Sequence, residues 1–265
     1  MTTTTAKPTA SSAGPDPRPA VRRPSLLRLT GVESRKLVDT RAGLWLLLTI
    51  GLVAALVATA QLIWADDAAQ SFTEFFTASL LPVSVLLPVL GILSITSEWS
   101  QRSALTTFAL VPRRELVIIA KLGATVLAAL ASVLASLAVA AVATPIAGAT
   151  GGSGSWAFEG TLLLHASVVQ VTSVLMGAAF GLLLLNTPLA IVTYLLLPMV
   201  WTILTSMIEP LREPARWLDT AQTMEPLFTP DVTAGQWGRV AVSLLLWLVL
   251  PLVAGLIRTL RREVS

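Results

Sequence analysis

The chain has 265 residues, 54% of them hydrophobic and only 12% charged, with a net charge of +3, one histidine and no cysteine. A charged share about half that of ordinary soluble domains leaves too little polar surface to keep a folded body in water. Without cysteine, disulfides, thiolate chemistry and Cys-containing metal sites are excluded within this chain.

Residues 1–24 are rich in Thr, Ala and Pro and are predicted to form a disordered cytoplasmic tail. No apolar run follows the first charges closely, so the tail does not have the pattern of a signal peptide. From residue 25 onward a single transmembrane domain is expected. Over 25–41 a helix would place Leu26, Leu27, Leu37 and Val38 on one side and Arg28, Arg35 and Asp39 on the other. That pattern predicts a helix lying on the inner membrane surface, with a simpler basic juxtamembrane anchor as the alternative.

Six apolar runs follow, at about 44–64, 75–97, 116–145, 161–185, 188–208 and 240–257, each long enough to cross a bilayer as a helix. They lack the alternation of barrel strands, and backbone groups in lipid must be satisfied internally, so an all-α polytopic fold is expected. The second run contains Pro82, Pro88 and Gly91, which membrane helices tolerate. The third contains Lys121, about one turn from its inner end, where the side chain can snorkel. The fourth and fifth are separated by little more than Asn186 to Pro188, which predicts a tight antiparallel pair.

Fifteen of the eighteen basic residues fall before the first run, between the second and third together with the adjoining end of the third, which holds Lys121, or after the sixth; only Arg212, Arg216 and Arg239 fall elsewhere. The positive-inside rule therefore predicts a multi-pass cell-membrane protein with both termini cytoplasmic. The basic balance reports topology and gives no sign of nucleic-acid binding, which requires a basic face on a folded domain. The outer segment 209–238 carries scattered apolar residues among prolines. It reads either as short interfacial helices anchored by Trp217 and Trp237 or as a plain loop.

Little in the chain points to catalysis. Gly151 to Gly154, "GGSG", matches the Gly-x-Ser-Gly of rhomboid-type intramembrane proteases, and Ser153 with His165 would be the reacting pair. The same four residues are unremarkable in a Gly/Ser-rich loop, and His165 is more simply an interface residue at the outer end of the fourth run. No Gly-x-x-x-x-Gly-Lys-Ser/Thr occurs, so the chain has no phosphate-cradling loop of its own. No run carries an acid or base at its centre, which points to an energy source outside the chain if substrate moves through it.

The stretch "SEWSQRSALTTFALVPRREL", Ser97 to Leu116, interrupts the apolar pattern on the cytoplasmic side. Residues 103–111 would form a short helix with Leu105 and Phe108 as knobs, closed by Pro112, and Arg113 and Arg114 could pair with partner carboxylates. With Glu98, Arg102, Pro112, Arg114 and Lys121 at their spacings, this segment resembles the second-to-third loop of type-2 permeases of bacterial ABC exporters. "VESRKLVDTRAGLWLL" before the first run adds to the likeness. Ser103-Ala104 stands where many members have Gly-Thr.

The resemblance implies a permease subunit, itself not an enzyme and holding no cofactor, that pairs with a second permease chain, commonly itself. It would couple to a separate ATP-binding subunit that carries Mg-ATP. The coupling residues would be Glu98, Arg102, Leu105, Phe108, Pro112, Arg113 and Arg114. By the same resemblance spans two and five would line the substrate path, with Thr96, Thr193, Thr202, Thr205 and Ser206 as polar lining groups. Such hydroxyls also commonly bond their own helix. A membrane scaffold without transport, its basic loop serving topology alone, is the alternative of another class.

Overall fold

The structure is a computed structural model in which residues 25–100 and 114–261 are described. These residues form an all-α body with six helices long and apolar enough to cross a membrane. The tail 1–24 and the segment 101–113 lie outside the described residues.

Helix α1 spans Leu26–Asp39 and starts at Ser25, whose hydroxyl accepts from the Arg28 amide. Thr40 then serves both sides of a corner. Its extended backbone sends its amide to Lys36 O, and its hydroxyl accepts from the Gly43 amide to cap α2, Arg41–Trp64. A Cβ on Gly43 would collide with the Leu37 carbonyl, so only glycine lets α2 leave α1 this tightly.

Helix α3 (Phe72–Ser100) and α5 (Gly160–Leu184) form the centre of the bundle. Their backbones touch where Gly91 faces the Val174 carbonyl and Gly177 faces Pro88, positions with no room for a side chain. Lipid tails are as apolar as leucine, so close approach over small residues is what holds such a pair together. Leu87 of α3 and Val174 of α5 are fully buried at this contact, and Phe75 and Phe76 are fully buried in a separate cluster near the start of α3.

Helix α4, Arg114–Thr150, packs beside both. At ~1.5 Å per residue its 37 residues reach about 55 Å, more than the ~30 Å hydrocarbon core, so it projects beyond the bilayer. It outruns the 116–145 stretch that hydropathy marks, because Pro145 is accommodated within the helix. After it the chain turns through Gly151 and Gly154, both at positive φ, and zips onto the α2–α3 connection. There Ser153 N bonds Asp67 O, Gly154 N bonds Gln70 O, and Phe72 N bonds Ser155 O.

Helix α6, Thr187–Met207, follows α5 after only Leu185 and Asn186, with the Asn186 side chain capping it through the Leu189 amide. The tight pair anticipated from sequence is present. Between 209 and 233 the chain forms short helices, α7 (Arg212–Leu218) and α8 (Thr220–Met224), joined by 3-10 turns. The last span, α9, runs Ala234–Arg261 with a π-helical turn at Leu245–Val249. It starts well before residue 240, because Thr233 and Gln236 make a capping box that extends the helix past its apolar run.

The helices alternate in direction. One end of the bundle therefore gathers α1, the end of α3, the start of α4, the α5–α6 turn and the end of α9. Arg28, Arg35, Lys36, Arg41, Lys121, Arg258 and Arg261 all belong to elements that meet there. At this basic end the Arg258 guanidinium donates to the Leu183 carbonyl at the end of α5. The opposite end gathers the α2–α3 and α4–α5 connections and the short helices 209–233.

Candidate functional site: a four-charge cluster at the basic end

Four ionisable side chains converge where α1, α3 and α4 meet. Glu33 and Lys36 are one turn apart on α1, so the helix places both on the face toward the bundle. Glu98 lies in the last turns of α3, and Lys121 two turns into α4. The Lys121 ammonium is 2.9 Å from Glu33 Oε2 and 3.1 Å from Glu98 Oε1, and it donates to the Ser94 carbonyl at 3.0 Å. Lys36 Nζ is 2.7 Å from Glu33 Oε1 and 3.1 Å from the same Glu98 Oε1. Two carboxylates are thus bridged by two ammoniums, and the group carries no net charge.

Lys121 is 5% exposed, which corrects the expectation that it snorkels to the membrane surface. A lysine stem can reach water, but here two carboxylates and a carbonyl use all three ammonium protons inside the protein. Burial works to raise the Glu33 carboxyl, yet Lys121 and then Lys36 overcome it and hold it below the usual carboxylate range. Burial works likewise to lower Lys36, and Glu33 and Glu98 together hold it above the usual lysine value. The cluster leaves none of its four members unpaired. It is a tie: removing one member of a buried pair leaves an uncompensated charge, whereas the intact set fixes three helices in one register.

The tie joins residues distant in sequence that carry the resemblance: Glu33 from the stretch before the first span, Glu98 from the end of the second, and Lys121 from the third. Glu98 sits in α3 itself, since that helix runs on to Ser100. Arg102, Leu105, Phe108, Pro112 and Arg113 lie outside the described residues, as does the helix expected over 103–111. Arg114 opens α4. Lys36 and the pairing role of Glu33 were missed from sequence. Their only local signal is the Glu-to-Lys spacing of one helical turn.

The residues expected to line a path fall on α3 and on α6, which touch at Thr96 and Thr187. Thr96 of α3 is fully buried; its hydroxyl donates to Ile92 O and lies 2.7 Å from the Thr187 hydroxyl of α6. On α6, Thr202, Thr205 and Ser206 donate to Pro198, Thr202 and Ile203 carbonyls of their own helix. Thr193 is half-buried on the same helix. Ser153 and His165 have different partners. The serine hydroxyl donates to Gln70 O, while His165 Nδ1 lies 3.0 Å from Thr229 O, its ring edge against Trp237. A carbonyl only accepts, so Nδ1 carries a proton. No hydrogen bond joins the two side chains, and among the described residues no group of three or more His, Cys, Asp or Glu converges as a metal site would require.

Comparison of this chain with models of protein families, with curated proteins and with solved structures finds no match.

Proposed function

We propose that this polytopic membrane protein is the permease subunit of an ATP-driven exporter of the type-2 ABC class, with both termini cytoplasmic. One observation supports the reading above the others: the four-charge cluster. It locks the juxtamembrane helix α1 to the two spans that bracket residues 101–113. If a partner ATPase grips Phe108 and the arginines flanking it, a displacement of that segment is passed to α3 and α4. The cluster then carries α1 with them. Mg-ATP would be bound and hydrolysed by the partner, and a second permease chain, commonly an identical copy, would complete the pathway. Uncharged spans suit an amphiphilic or apolar cargo better than a small ion.

The test is docking. Phe108→Ala should weaken association with the ATPase by about 2 kcal/mol, some 30-fold, as truncating an interface anchor does. Membrane levels of the permease should be unchanged, because the residue lies between spans. Co-purification and stimulated ATP hydrolysis are measured at equal permease levels. An unchanged Phe108→Ala variant, or no ATPase partner at all, would sink the reading in favour of a scaffold. Loss of a proteolytic activity on Ser153→Ala would instead favour the protease.

A further inference from the structure

Two cavities open between α1, α2, α3 and α4, of about 650 Å3 beside the charge cluster and about 410 Å3 further along the helices. They meet at Leu37, Leu90 and Ala124, so they form one cleft with a polar head and an apolar body. The body is lined by small or aliphatic residues of three spans, Ile50, Gly51 and Ala54 among them. Space at this depth of a bilayer is not left to water, because the walls offer too few polar partners to hold it.

Two serine hydroxyls in the walls, both closed off from solvent, have no partner among the described residues. Ser94, 8% exposed, lines the head, and Ser136, 1% exposed, lines the body, and neither hydroxyl makes a hydrogen bond. Serines in membrane helices ordinarily return that bond to their own backbone, as Ser132 one turn earlier does to Ala129 O. Lys36 also lines the head and is half-exposed; Glu33 and Glu98 use two of its three ammonium protons, leaving one to point outward. Lys121 and Ser136 on α4 are about 22 Å apart at ~1.5 Å per residue, more than the depth of one leaflet at ~15 Å.

From these observations we infer that the cleft is a binding site for a membrane phospholipid, its phosphate accepting from Lys36 and one acyl chain lying along Gly51 and Ser136. The exposed arginines of α1 and its corner, Arg28, Arg35 and Arg41, would favour approach of a phosphate-bearing head. The site belongs to a single chain and does not depend on the transport reading.

Photolabelling of the full chain tests it. The chain is reconstituted into phosphatidylethanolamine and phosphatidylglycerol vesicles containing a phosphatidylethanolamine with a diazirine near the end of one acyl chain. After illumination, labelled peptides are mapped by mass spectrometry. Labelling of residues 128–136 should exceed that of 195–207 on the lipid-facing helix α6 at least threefold. A Cβ on Gly51 would meet no atom within 4 Å, so Gly51→Trp can fill the cleft; it should abolish the excess while leaving α6 labelling unchanged. Ala128→Phe, from the opposite wall, should do the same should the tryptophan variant fail to fold. A diacylglycerol probe lacking phosphate should show less than half the excess. Equal labelling of both regions in the parent chain would mean ordinary surrounding lipid and overturn the site. Equal labelling by the phosphate-free probe would overturn the role of Lys36. Efficient disulfide formation between copies carrying Ala131→Cys would mean that a second chain fills the cleft, and would overturn it as well.

Discussion

The two ends of the bundle are held by opposite means. At the basic end, four charges from α1, α3 and α4 neutralise one another in a cluster whose Glu33, Glu98 and Lys121 have little access to water while Lys36 is half-exposed. At the opposite end no charge cluster forms among the described residues: side chains tie to backbone, His165 to Thr229 O and Trp247 Nε1 to Leu218 O at 2.6 Å, and the charged contacts are single ones, Arg239 over the Trp217 ring and an exposed Arg216–Glu213 pair. Ionic ties between distant segments cost desolvation and fail sharply when one member is lost. Backbone hydrogen bonds to surface segments fail one at a time and cheaply. The contrast suits a bundle whose basic end moves as one body while its other end holds an adjustable cover.

The largest expected effect comes from cutting the ionic tie at its most buried point. Lys121→Met leaves Glu33 and Glu98 facing each other with Lys36 alone between them, and should cost about 3–5 kcal/mol, in the range for breaking a buried pair. The loss should be read as a lower unfolding midpoint in detergent and as faster hydrogen exchange in α1. Adding Glu98→Gln to Lys121→Met should restore part of it, since it removes one of the stranded charges. If Lys121→Met is as stable as the parent, the cluster is decoration and the comparison of the two ends collapses.

A smaller and graded effect is expected from pH. Glu33 is held below its ordinary value, so its contribution is complete above the unfolded carboxylate value near ~4.3 and is lost as pH falls through the folded one. Lys36 is held above its ordinary value, so its share is complete below ~10.4 and is lost as pH rises through its folded one. The attachment of α1 should therefore be flat across neutral pH and loosen towards both extremes. A spin label at the exposed residue Leu27 should report this as rising mobility below about pH 4 and above about pH 11. A monotonic change through pH 6–8 would assign control of α1 to some other group.

The sequence allowed the spans to be counted but not the faces they bury. α3 and α6 are both long and apolar, yet 56% of the residues in the apolar stretch of α3 are buried inside the chain, against 11% for α6. A helix in lipid is hydrophobic all round, so the periodicity that marks the buried side of a soluble helix is missing. Gly91 in α3 and Gly177 and Gly181 in α5 were the readable sign, since α6 has no glycine. Likewise α1 and the turn at Asn186 follow from local caps and spacing. The partners of Lys121, at positions 33 and 98, and of His165, at position 229, do not, because a polar pair made across helices leaves no periodic trace along the chain.

The smallest expected effect probes the end opposite the cluster. Trp247 sits in the π-helical turn of α9 and is 7% exposed; its indole N–H donates to Leu218 O, where α7 ends. Trp247→Phe keeps most of the apolar contact with Met176 and Phe180 but removes the donor. The carbonyl of Leu218 then loses its partner, at a cost of about 1 kcal/mol. Because no charge is involved, the loss should not depend on salt, nor on pH between 5 and 9. It should also stay local: hydrogen exchange should quicken in residues 212–224, which pack on the start of α9, while α1 and the start of α4 keep their protection. If Trp247→Phe instead loosens α1 as strongly as Lys121→Met does, the two ends form one cooperative unit. Their different chemistry would then carry no division of labour.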